Sequence, residues 1–231
     1  MSGTTTRTLR GLAALLAYPD EALARHAAEV IDAIRNERAL PASDLDALAT
    51  LASTIGGADC DLLDVQARYV DTFDRGRSSA LYLFEHVHGS SRDRGQAMVD
   101  LNAMYARSGL GPLGRELPDF VPMYLEWLSS LPADAARDAL RDVVHLLRPI
   151  GQSLTRRGSP YAAVFVALLR LAGERSPQKA LAAADGLEQP DDATPQALDA
   201  AWVDEPVGFL GACAPSAPRE HVVSIHRGGQ R

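Results

Sequence analysis

Leu81-Tyr82-Leu83-Phe84-Glu85-His86-Val87-His88-Gly89 brings aromatic, acidic and imidazole groups closer together than any other stretch of the chain. Tyr82 and Phe84 favour burial, whereas Glu85, His86 and His88 need partners wherever water is excluded. Imidazole and carboxylate side by side raise the question of a transition metal. The spacing is not that of a helical His-Glu-x-x-His zinc site, no cysteine is near, and the other histidines stand at positions 26, 145, 221 and 226. Hydrogen-bonded structural histidines, with no metal, are the preferred reading. At the edge of a binding surface, protonation of His86 and His88 near about pH 6 to 7 would change the charge beside Glu85 and Asp119 and make the grip pH-sensitive.

Catalysis finds little support in the same residues. There is no Gly-x-Ser-x-Gly elbow. Ser90 and Ser91 lie beside His88, but serines ahead of a helix serve mainly as caps. Glu85 and Asp119 could share acid and base roles only if the fold brought them together. A metal-dependent hydrolase is the alternative from the enzyme class.

The run continues into Ser90-Ser91-Arg92-Asp93-Arg94-Gly95-Gln96-Ala97-Met98. A second block, Glu116-Leu117-Pro118-Asp119-Phe120, leads to Tyr124-Leu125-Glu126-Trp127-Leu128, and Glu205-Pro206-Val207-Gly208-Phe209 follows Trp202 near the end. In order and in total length these blocks resemble the NarJ-type nitrate reductase assembly chaperones, part of the wider TorD/DmsD family of helical redox-enzyme maturation proteins. The resemblance implies a cytoplasmic chaperone, not an enzyme. Its client would be the apo catalytic subunit of respiratory nitrate reductase, held by its N-terminal peptide while molybdopterin guanine dinucleotide and iron-sulfur clusters are installed. No cofactor would stay on the chaperone itself. The Glu-His-Val-His-Gly block tilts the client toward nitrate reductase over a dimethyl sulfoxide or trimethylamine oxide reductase.

The elements that must position these residues follow from composition and period. Of the 231 residues, 46% are hydrophobic, and Ala and Leu outweigh β-branched types, so an all-α, single-domain bundle is expected. Apolar spacing with Pro and Gly punctuation predicts helices over roughly 7–18, 20–38, 42–55 and 59–75, the last with Leu62, Tyr69 and Phe73 on one face and Val65 or Gln66 between them. After the 81–89 block, Ser90 or Ser91 caps a helix to about Gly109 whose stripe is Met98, Leu101, Met104 and Tyr105. Pro118 suits the first turn of the next helix, which carries Phe120, Tyr124 and Trp127 or Leu128. Further helices are expected over roughly 133–157, 160–174 and 178–187. The helical domain is thus 1–187, and 188–231 is a Pro-, Gly- and acid-rich tail of low order, with Trp202 and Phe209 as its anchors.

A formal charge of −7 repels phosphate backbones and anionic lipid and attracts cationic segments. Neither nucleic acid nor a stable membrane association is expected. Neither a secretory leader nor the ~20 apolar residues that cross a bilayer are present. Cys60 and Cys213 are too few for a disulfide scaffold or zinc cage. Lys179 is the one lysine against 22 arginines, a habit of composition rather than a binding code. A binding module therefore fits best, with Tyr69, Phe73, Tyr82, Phe84 and Tyr124 lining an apolar groove and Glu85, His86, His88, Asp119 and Glu126 supplying charge to a basic amphipathic peptide.

Overall fold

Leu9, Leu12, Ala13 and Leu16 return at intervals of three and four residues, so a helix turns them all to one side. Helix α1 (Thr6–Leu16) does this so fully that Leu12, Leu15 and Leu16 are 0% exposed. The computed structural model describes residues 5–57, 60–85, 91–111 and 116–183 of the chain. Helix α2 (Glu21–Glu37) starts at Asp20, whose carboxylate accepts the Leu23 amide at 2.7 Å. At its other end Glu37 accepts the amides of Arg7 and Thr8 at 3.0 and 2.6 Å, completing the open N-terminus of α1. Helix α3 (Ala42–Gly56) returns along α2. Their backbones approach so closely at Gly56 that a Cβ there would lie 2.0 Å from the Ala24 carbonyl oxygen.

Helix α4 (Leu62–Phe73) is capped by Asp61 and buries Val65, Tyr69 and Phe73. A short 3-10 turn (Arg77–Ser79) follows, then α5 (Ser91–Arg107), α6 (Val121–Ser129), α7 (Ala133–Arg156), α8 (Ala162–Leu171) and α9 (Pro177–Ala182). Helix α1 packs between α2 and α6, α3 lies on α8, and α7 gathers α8, α9 and the 3-10 turn. One hydrophobic cluster runs through these elements, with Phe165 its largest fully buried side chain.

Two polar ties close the bundle. Asp44, 1% exposed, accepts Arg170 Nε at 2.9 Å and Gln178 Nε2 at 3.0 Å, locking α3 to α8 and α9. Arg157, just past α7, donates to the carbonyl oxygens of Asp71 and Thr72 at 3.0 and 3.2 Å and to Ser79 Oγ at 2.9 Å, capping the C-terminus of α4.

The all-α expectation holds. Among the described residues the one strand-like pairing is an isolated bridge between Tyr82 and Phe120. Two local expectations are corrected. Helix α6 begins at Val121 with Pro122 in its first turn, so Pro118 lies ahead of it in a turn of its own. The last helix ends at Ala182, where Ala183 takes an extended conformation, well short of Leu187. The tail, with Trp202 and Phe209, lies outside the described residues. Among those described, no helix is long and apolar enough to cross a membrane.

Candidate functional site

Residues 81–85, the described part of the aromatic and acidic block, form a strap. Alternation puts Leu81 and Leu83 inward, 2% and 1% exposed, and leaves Tyr82, Phe84 and Glu85 half-buried. The strap runs antiparallel to the lead-in of α6. Val121 N donates to Leu81 O at 2.8 Å and Leu83 N to Asp119 O at 3.0 Å. The Tyr82 and Phe120 rings stack across the bridge at 5.5 Å, and the Tyr82 hydroxyl donates to Glu116 Oε2 at 2.8 Å.

Asp119 is the strap's hinge pin. Its side chain is 0% exposed, Oδ2 accepts the Phe84 amide at 3.1 Å, and buried Oδ1 has no partner. Burial raises its pKa above the ordinary carboxylate value, against the opposing pull of the Phe84 amide and Arg94. Glu85 is the reverse case. Burial works against its charge, but Arg77 Nε at 2.9 Å and Arg94 Nη2 at 3.0 Å prevail and hold its pKa below normal. Arg77 comes from the 3-10 turn and Arg94 from α5, so Glu85 joins three segments. Tyr105, also on α5, ties that helix to the lead-in of α6, its hydroxyl donating to Pro118 O at 2.7 Å.

The sequence-chosen residues divide into two sets. Tyr82, Phe84, Glu85 and Asp119 meet at the strap. Tyr69 and Phe73 pack into the core at 5% and 3% exposure, their rings 4.8 Å apart, and the Tyr69 hydroxyl donates to Leu16 O at 2.9 Å. Tyr124, 5% exposed, donates to Ala139 O at 2.9 Å. Glu126, on the same helix as Tyr124, is exposed. His86 and His88 lie outside the described residues. Among the described residues no cluster of three or more His, Cys, Asp or Glu could hold a metal.

Sequence reasoning passed over Arg77, Arg94 and Glu116, the partners of Glu85 and Tyr82. Glu116 and Arg94 stood in the quoted blocks and could have been found there; Arg77 hid among many arginines. It also passed over the spacing Gly-x-Gly-x-x-Gly at Gly109-Leu110-Gly111-Pro112-Leu113-Gly114. That stretch leaves the end of α5 rather than a strand, so it lacks the strand-turn-helix setting in which such glycines cradle phosphates.

Comparison with known proteins places this architecture. The family model described as nitrate reductase delta subunit matches residues 37–167. The nitrate reductase molybdenum cofactor assembly chaperone NarJ of Escherichia coli strain K12 is 46% identical over 209 residues, covering 90% of this chain and 87% of that protein. The probable nitrate reductase molybdenum cofactor assembly chaperone NarW of the same strain is 43% identical over 202 residues, 87% of this chain and 83% of that one. Both are named as assembly chaperones, not as enzymes. A crystal structure of a putative redox enzyme maturation protein from Archaeoglobus fulgidus superposes with a TM-score of 0.52 at 17% identity, covering 74% of this chain and 96% of that one, which speaks for the fold alone. With the family model spanning residues 37–167 and 46% identity to NarJ along 90% of its length, the chain belongs to the nitrate reductase delta subunit family.

Proposed function

We propose that this protein is a dedicated cytoplasmic chaperone of the NarJ type. It holds the catalytic subunit of nitrate reductase before the molybdenum cofactor is in place, gripping that subunit by its N-terminal segment. The observation that carries this reading is the 46% identity to a nitrate reductase assembly chaperone over 90% of the chain. Two named relatives of the nitrate reductase system favour that client over a dimethyl sulfoxide or trimethylamine oxide reductase.

The grip centres on the strap. Tyr82 and Phe84 supply apolar area, and Glu85, Asp119 and Glu126, with His86 and His88 beyond the strap's end, supply polar recognition. Tyr69, Phe73 and Tyr124 are core residues and serve the grip only through the packing of α4 and α6. The net charge of −7 favours a basic segment. Such a chaperone needs no covalent chemistry and no cofactor of its own; iron-sulfur clusters and molybdopterin guanine dinucleotide go to the client. Binding the immature client better than the finished one sets the direction of release. The helical body, 1–187, is the working unit, with 188–231 as an appended tail.

The test is a calorimetric titration of the full chain with the N-terminal peptide of the co-encoded catalytic subunit. Tyr82→Ala and Phe84→Ala are each expected to weaken binding about tenfold, equivalent to about 1.4 kcal/mol. Cells lacking the protein are expected to make nitrate reductase subunits with little activity. Normal activity in those cells would refute the function; unchanged affinity in both variants would refute the strap as its site.

A further inference from the structure

Tyr161 stands apart from the other tyrosines that leave solvent. The hydroxyls of Tyr69, Tyr82, Tyr105 and Tyr124 each donate to an oxygen, those of Leu16, Glu116, Pro118 and Ala139 respectively. Tyr161 is 6% exposed, its ring is fixed against Phe73 at 4.8 Å and Tyr69 at 6.1 Å, and its hydroxyl makes no hydrogen bond among the described residues. The oxygen is not among the buried polar atoms that lack a partner, so the ring is fixed while its hydroxyl stays open to solvent and able to donate.

Tyr161 lines a cleft of about 370 Å³ with Ile55 and Val65 as apolar wall and Arg68 and Arg157 at the rim. That volume falls within the range of small-molecule sites, about 300 to 1,000 Å³. Arg68 spends one N–H on Thr54 O at 3.2 Å, which leaves Nε and Nη1 free. Arg157 spends both terminal nitrogens on its cap and keeps Nε. The carboxylate of the lining residue Asp71 is paired with Arg75 Nε at 2.9 Å. In a chain of net negative charge, the lining of this cleft sets Arg68 and Arg157 against Asp71 alone, so its local balance is positive.

We propose that this cleft binds a small organic oxyanion, a phosphate monoester or carboxylate on a flat apolar body, held by the Tyr161 hydroxyl and the free N–H groups of Arg68. The body lies against Ile55 and Val65. Burial pushes the Tyr161 phenol up to about 12, so it remains a donor at neutral pH. The lining of the cleft includes no residue of the strap, and its test needs no client peptide, so it stands or falls independently of the chaperone reading.

The experiment titrates the full chain by calorimetry with phenyl phosphate, benzoate and inorganic phosphate, in the parent and in Tyr161→Phe and Arg68→Gln. Phenyl phosphate or benzoate is expected to bind in the millimolar range or tighter, and each variant to weaken that binding about tenfold, as for a hydrogen bond to a charged group. The stronger of the two probes identifies the headgroup. Tyr161→Phe keeps the ring and removes no internal hydrogen bond, so its melting temperature should match the parent's. Binding of neither aromatic probe, affinities unchanged in both variants, or inorganic phosphate binding as tightly as phenyl phosphate would each overturn the proposal. So would a melting temperature several degrees lower in Tyr161→Phe, because that would reveal a structural bond.

Discussion

Asp44 and Asp119 are carboxylates equally removed from water, at 1% and 0% exposure, and the fold treats them in opposite ways. Asp44 sits where α3, α8 and α9 meet and has a guanidinium and an amide on its oxygens. Asp119 sits where the strap crosses the lead-in of α6, with one oxygen bonded to a neutral amide and the other to nothing. The first is a finished joint in a scaffold. The second carries a cost that packing alone did not remove, and such groups gather where proteins bind or react. The difference separates a fully paired joint between helices from a half-paired carboxylate at the strap.

The widest separation between the two should come from Arg170→Ala. Removing the guanidinium leaves the Asp44 charge buried, and a loss of about 3 to 5 kcal/mol is expected in urea unfolding. A loss below about 1 kcal/mol would mean that Asp44 is no more settled than Asp119 and would break the contrast.

Asp119→Asn tests the other side. Keeping the acceptor for the Phe84 amide while removing a poorly paired charge should raise stability by about 1 kcal/mol at neutral pH, with weaker binding of the client peptide. The gain must depend on pH. Because the folded pKa of Asp119 is raised, its ionisation opposes folding, so the parent is free of that penalty below the unfolded value of about 3.9 and bears it in full above the raised folded value. Parent and variant melting temperatures should therefore converge in acid and part as pH rises. A gap that stays constant with pH would remove charge from the explanation.

Glu85 should show the opposite trend. Its folded pKa is lowered, so its pairs stabilise the fold above the unfolded value of about 4.3, and that stability is lost as pH falls through the lower folded value. The smallest effect belongs to its outer partner. The Arg77 side chain is 78% exposed, so Arg77→Ala should cost no more than about 0.5 kcal/mol, shrinking further in salt. A cost of several kcal/mol would show that the strap is built as firmly as the Asp44 joint.

Helices were legible in the sequence because burial on one face repeats every three or four residues, and α1 through α4 lie within a few residues of their expected ranges. On α4 the period left Val65 and Gln66 as alternatives. The structure buries Val65 and sends the Gln66 amide to Pro19 O at 2.9 Å. The strap was harder, since four residues alternating in and out read as a plain apolar run. Its aromatic neighbours were harder still. Helical spacing that aims Tyr69, Phe73 and Tyr124 at a core is the same spacing that would line a groove, and only the three-dimensional packing separates the two. The arginines that hold Glu85 come from segments with no local signal linking them to it, so charge pairing across the strap could not be read from spacing.

The position of α1 also governs how this protein can be made. Helix α1, with Leu12, Leu15 and Leu16 buried on its inner side, is covered in part by α6, which begins only at Val121. At about ten residues per second its greasy face goes without that cover for roughly ten seconds of translation. A member of a family of assembly chaperones is itself, until α6 is made, a nascent chain in need of shelter.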